Sequence, residues 1–274
     1  MKTILVPTDF SETAKNSARY AIAFASKLKI ANIALYHSYQ VLSISNPLDG
    51  YETKVSAEPF KEKSMQQLEA FLADLGTIPE GVNVELFHGG ADLKEGIAQV
   101  LEITNANVII MGITGGGKLK ETLVGSNTLT IAKHTEIPVI IVPADTNLSK
   151  LEKVALITDF KDIETNIPEK KIKQLLASKT IDFSIVHVSD KQTSSAAFTK
   201  EVALLSNMFN EFQPSFHFVN ASDFTEGVSE FAEANQIDLI VIVPKQRGVL
   251  ESMFKSHTKT LAFHTKTPLF VAHN

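Results

Sequence analysis

Gly112, Gly115 and Gly125 run on into Ser126, Asn127 and Thr128, with the spacing G-x2-G-x9-G-S, and stand directly after the apolar run Val108-Ile109-Ile110-Met111. A run of that length, rich in β-branched residues and stopped by glycine, reads as a buried parallel strand. Glycines past its carboxyl end let backbone approach a ligand closely. Gly125-Ser126 then opens a helix, whose unpaired N–H groups and partial positive charge suit phosphate. The chemistry open to these residues is therefore the binding of a nucleotide polyphosphate. The alternative is that Gly112 and Gly115 are simply turn glycines after a strand.

The same loop nearly spells a second phosphate motif, Gly112-x4-Gly117-Lys118, but Leu119 stands where Ser or Thr is needed for magnesium. It also follows the fourth strand of its unit rather than the first. Catalysis has little support: no carboxylate is placed to activate water, no arginine lies near the loop, and no nucleophile elbow occurs. The expected catalytic set is empty. Eight histidines raise a metal reading, yet no His-x3-His or His-Glu-x2-His pair occurs, so no protein-held metal is expected. A divalent ion is expected only as a passenger on nucleotide phosphates.

These residues must be positioned by alternating strands and helices. Ile4 to Val6 reads as a strand, and Ser11 can cap a helix with Ala14, Ala18, Ala21, Ile22, Ala25 and Leu28 on its apolar face. Ala31 to Tyr36 is a second strand ending at His37-Ser38. Residues 40–57 read as a long loop over the strand ends. A helix through Phe60, Met65, Leu68, Phe71 and Leu72 follows, then a strand from Val82 to Phe87. Asp92 to Glu95 is a capping-box pattern opening a helix with Ile97, Val100, Leu101 and Ile103 on its apolar side. The Val108 strand, the glycine loop, a helix and a strand at Val139 to Val142 complete the order β-α-β-α-β-α-β-α-β. That order implies an α/β fold with a doubly wound, mainly parallel five-stranded sheet, and it puts Asp9 at the carboxyl end of the first strand, where such folds take ligands.

The order then repeats. Thr158-Asp159-Phe160 echoes Thr8-Asp9-Phe10, and Val186-His187 echoes Tyr36-His37 at the same offset. Asp223-Phe-Thr-Glu-Gly-Val228 echoes Asp92-Leu-Lys-Glu-Gly-Ile97, and the segment from Ala262 to Pro268 echoes that from Ala132 to Pro138. Histidines 37 and 187, and 134 and 264, recur in both copies, which favours structural roles for them. Two tandem domains follow, 1–147 and 148–274, joined through the polar stretch around Ala144 to Ser149. The copies are not chemically equal. Where the first has Gly112, the second has Val243 or Pro244; Gly115 meets Gln246 or Arg247, and Gly125 meets Lys255. Side chains there block backbone approach to phosphate, so one competent and one degenerate site are expected.

The glycine pattern resembles the ATP-binding signature of the universal stress protein family, and Val6-Pro7-Thr8-Asp9-Phe10-Ser11 looks like that family's opening strand and turn. With the repeat, the resemblance covers nearly the whole chain and implies a tandem, two-domain member with a Rossmann-like fold. It implies that Pro7, Thr8 and Asp9 lie near the adenosine portion and that Ser38 offers backbone bonds to the adenine edge. It further implies that Met111 lines the pocket, that Gly112, Gly115 and Gly125 admit the phosphates, and that Ser126, Asn127 and Thr128 hold them. The family often carries a small or aliphatic residue where this chain has Asn127. The implied ligand is ATP, or AMP or ADP, with Mg2+ carried by the phosphates. The resemblance also implies an internal pseudo-dimer, in which Pro138 to Val142 pairs with Pro268 to Ala272.

Composition narrows the rest. A chain of 274 residues with 44% hydrophobic and 21% charged residues is globular, and a net charge of −5 argues against nucleic-acid or polybasic membrane partners. With no cysteine, disulfides and thiolate chemistry are excluded. The opening apolar run is too short for a signal peptide and no run approaches a membrane span, so a cytoplasmic location is expected. The expected function is nucleotide-dependent stress sensing without enzymatic activity, through an unknown protein partner and with homodimerisation open. The rivals are a nucleotide-independent interaction module and a weak ATPase.

Overall fold

The structure, a computed structural model, describes residues 1–39, 43–45, 52–54, 57–113, 126–144, 146, 150–177, 181–190, 198–244 and 259–274. Gly115 and Gly125 of the glycine loop lie outside the described residues, as do most of the predicted domain junction and the second copy's Gln246, Arg247 and Lys255.

The first half runs β1 (Thr3–Pro7), α1 (Glu12–Leu28), β2 (Asn32–Ser38), β3 (Ser43–Ser45), β4 (Glu52–Lys54), α2 (Glu58–Asp74), β5 (Asn83–Gly89), α3 (Leu93–Thr104), β6 (Val108–Ile113), α4 (Ser126–His134) and β7 (Val139–Pro143). The second half runs β8 (Lys153–Ile157), α5 (Ile163–Asn166), α6 (Glu169–Leu175), β9 (Asp182–Ser189), α7 (Thr199–Met208), a short 3-10 turn, β10 (Ser215–Asn220), α8 (Phe224–Ala234), β11 (Leu239–Ile242), α9 (Lys259–His264) and β12 (Leu269–Val271). Ten strands form one sheet in the order β10-β9-β8-β11-β12-β7-β6-β1-β2-β5. Each half is parallel throughout. The single antiparallel step joins β12 to β7, with Phe270 opposite Ile140. The expected doubly wound sheets are present, and the expected pairing of the last strands makes them one.

Burial explains the strand sequences. The central strands β1 and β7 are buried along their whole length, as parallel strands covered on both faces must be, whereas the edge strands β5 and β10 are partly exposed. One face carries Ile4, Val6, Ile110, Ile140, Leu156 and Phe270 under α1 and α2; the other carries Leu5, Ile109, Met111, Ile141, Ala155 and Leu269 under α3 and α4. Both apolar clusters run through both halves without interruption. The helix caps read from sequence form as expected: Ser11 accepts from the Ala14 N–H, and Asp92 from the Glu95 N–H.

Three expectations are corrected. Residues 40–57 are not all loop, because β3 and β4 pair antiparallel with Ile44 opposite Thr53. The strand before the glycine loop does not stop at Met111 but continues through Gly112 to Ile113. Ile103 is not on the buried side of α3: it is 68% exposed. Six residues beyond Ile97, at 3.6 residues per turn, it has rotated off the face that Ile97 and Val100 share.

Candidate functional site

The strands β2, β1 and β6 are neighbours, and their carboxyl ends carry Ser38, Pro7 to Asp9, and Met111 to Gly112. The chain leaves β1 into α1 on one face of the sheet and leaves β6 towards α4 on the other. A crevice therefore opens between the ends of β1 and β6, the place where a doubly wound sheet accepts ligands.

Each residue at this crevice also has a structural partner. The Thr8 N–H donates to the Tyr36 carbonyl at 2.8 Å, its hydroxyl oxygen accepts from the Phe10 N–H, and its carbonyl accepts from His37 Nδ1 at 2.8 Å. This packed turn holds Phe10 at φ 66°. Asp9 is exposed, and its Oδ1 accepts from both the Ser11 N–H and the Ser11 hydroxyl, the latter at 2.6 Å. Ser38 donates its hydroxyl to the Ala91 carbonyl at 2.6 Å. Met111 is buried among the α3 and α4 side chains, so its side chain lies in the core.

Gly112 is not a turn residue; it is paired with Val142 inside the sheet. A Cβ at this position would stand 2.6 Å from both the carbonyl oxygen and Cγ2 of Thr13, so glycine is what lets α1 lie against β6. On the other side of the strand, Thr128 is buried and donates its hydroxyl to the Gly112 carbonyl at 2.8 Å. That bond pins the first turn of α4 to the end of β6. Ser126 begins the helix and Asn127 is exposed on its first turn. Thus Thr128 and Gly112 are brought into contact, Asp9 lies one strand over, and Ser38 lies one strand further.

The second half repeats the turn but not the crevice wall. Thr158, Phe160 (φ 58°) and His187 reproduce the bonds of Thr8, Phe10 and His37, and Asp159 accepts from the Lys161 N–H as Asp9 does from the Ser11 N–H. His37 and His187 are thus structural, each tied to a strand-end carbonyl. Sheet register settles which residue faces Gly112: Ile4 pairs with Val108 and Val154 with Leu239, so Val243 is the counterpart. Thr13 is replaced by Ile163, and both larger residues pack into the same apolar cluster. Where the first half has one long α1, the second has α5 and α6 separated by Ile167-Pro168. Thr13 was the residue sequence reading missed, and the signal was available: both members of the Thr13–Gly112 contact enlarge together in the second copy.

Among the described residues, no group of three His, Asp or Glu could hold a metal, and no helix is long and apolar enough to cross a membrane. A surface cleft bordered by Lys27, Lys29 and Gln174 lies at the amino ends of the strands, away from these residues.

A model of the universal stress protein family matches residues 1–143. The chain belongs to the universal stress protein family. It is similar to Universal stress protein MJ0577 of Methanocaldococcus jannaschii, 28% identical over 159 residues that cover 52% of this chain and 94% of that protein. It is also similar to Universal stress protein MJ0531 of the same organism, at 27% identity over 146 residues, covering 52% of this chain and 81% of the relative. The crystal structure of a universal stress protein from Archaeoglobus fulgidus superposes with a TM-score of 0.69 at 16% identity, covering 99% of this chain and 98% of that one. At that identity the likeness establishes the fold, and it does so for both halves of this universal stress protein. The family match, by contrast, lies on the half that keeps the three glycines.

Proposed function

We propose that this universal stress protein binds an adenine nucleotide, ATP or AMP or ADP with Mg2+ on its phosphates, at the crevice between β1 and β6. Within two tandem domains, 1–147 and 148–274, only the first is competent. The nucleotide serves as a regulatory signal read by a protein partner, with no catalysed reaction. The observation that carries this reading is the bond from Thr128 to the Gly112 carbonyl, because it sets the N-terminus of α4 at the mouth of the crevice. The N–H groups of a helix's first turn and its dipole favour an anion there. Asp9, one strand away and exposed, is available to a ligand hydroxyl.

A second reading, a nucleotide-independent interaction module, is favoured by one observation: Gly112, Thr128 and Asp9 each already have a structural duty. Calorimetric titration with ATP and magnesium separates the two. The nucleotide reading expects one site per chain, lost in Gly115→Arg with the fold retained. Two sites would show that the second domain is also competent. No binding at millimolar ATP would leave the interaction module standing.

A further inference from the structure

His273 belongs to the second half, just past β12, yet its Nε2 donates to the carbonyl of Ala132 in α4 at 2.7 Å. Lys171, on α6, donates to the carbonyl of Glu136, in the turn after α4, at 3.0 Å and also to the carbonyl of His273. The antiparallel seam explains this reach, since it sets the end of β12 beside the start of β7, and α4 immediately precedes β7. The last carbonyls of a helix have no partner within it. In α4 the Thr135 N–H takes the Ile131 carbonyl, and the second half takes the next one. A lysine at this end also suits the helix dipole. The first half reaches back to the turn after α9, where the Thr146 hydroxyl donates to the Lys266 carbonyl at 3.0 Å, but the histidine bond has no counterpart, because Pro143 stands at the position equivalent to His273.

The other end of α4 is held by Thr128 on the Gly112 carbonyl. The helix is therefore fixed at its N-terminus by the first half and at its C-terminus by the second. We infer that His273 and Lys171 are positioning residues, through which the second half sets the seat of α4 and hence the first half's affinity for nucleotide. This rests on the nucleotide reading above. It gives the half with the degenerate loop a task other than binding.

The test is titration of the full chain with ATP and magnesium in His273→Ala, His273→Gln and Leu205→Ala variants. Loss of one helix-seating bond should weaken binding by about five-fold in His273→Ala. Glutamine keeps an N–H donor and should restore most of the affinity. Leu205 is buried in α7 on the opposite face of the sheet from Ala132, so Leu205→Ala should lower the unfolding temperature and leave affinity unchanged. Hydrogen exchange in α4 should quicken in His273→Ala even without ligand. If wild type binds and His273→Ala binds equally well, or if Leu205→Ala weakens binding as much, the inference is overturned while the nucleotide reading survives. If wild type does not bind, both fall.

Discussion

Gly112 shows how much one position is asked to do. Its carbonyl receives Thr128, its missing Cβ admits Thr13, and its amide plane belongs to the sheet. Gly112→Ala should therefore destabilise the fold by about 2 kcal/mol, the usual scale for overpacking, as measured by urea unfolding. Thr13→Ala should not rescue it, since the offending Thr13 carbonyl oxygen remains; full rescue would show that the contact is soft. Tyr20 illustrates the opposite case. Its hydroxyl is buried without a hydrogen-bond partner among the described residues, and burial, with Asp238 at a distance, holds its ionisation far above the usual tyrosine range. Tyr20→Phe should be neutral or stabilising, because the group removed is a desolvated one. A clear loss of stability would reveal an unseen partner. That Gly112 and Asp9 lie near the carboxyl ends of their strands was legible in the sequence through glycine spacing and apolar runs, whereas the continuation of β6 through Gly112 to Ile113 was not. The dual use of Gly112 was not, since a residue's pattern along the chain does not say which helix crosses it in space.

At the scale of elements, strands and helix starts read well because their causes are local. Apolar runs of β-branched residues gave the parallel strands, and Ser11 and Asp92 gave the helix starts through their own side-chain bonds. The errors fell where the cause is not local. Ile103 is near other apolar residues in the chain but turned away from them by helix angle, and the β3–β4 pair lies in a stretch whose composition reads as loop. The duplication offers an internal control on capping. Asp92 and Asp223 accept from Glu95 and Glu226 N–H groups at 3.0 and 2.8 Å, in the first turns of α3 and α8. Asp92→Ala and Asp223→Ala should each cost about 1 kcal/mol in chemical denaturation. Markedly unequal costs would mean that the copies no longer fold under the same local rules.

At the scale of the molecule, the antiparallel β12–β7 step turns two exposed apolar edges into the middle of one sheet. It also brings His273 to α4, which no sequence pattern announced. This seam should respond to pH. Burial is the main reason that the His273 imidazole sits below its usual value; the nearby positive charges of Lys171 and His134 push the same way, against the bond to Ala132. The unfolded chain therefore binds a proton at His273 more readily than the native one does. Stability must then fall as pH drops from about 6.5, the ordinary histidine value, towards the lower native one, and be indifferent to this group above that window. The chain has eight histidines, so the informative quantity is a difference. Wild type should lose more unfolding free energy between pH 7 and pH 5 than His273→Gln, which keeps the donor and cannot take up the proton. Equal losses would mean that the imidazole is as free to protonate in the native seam as in the unfolded chain, and the seam would then have to be far wetter than the burial of His273 against α4 implies.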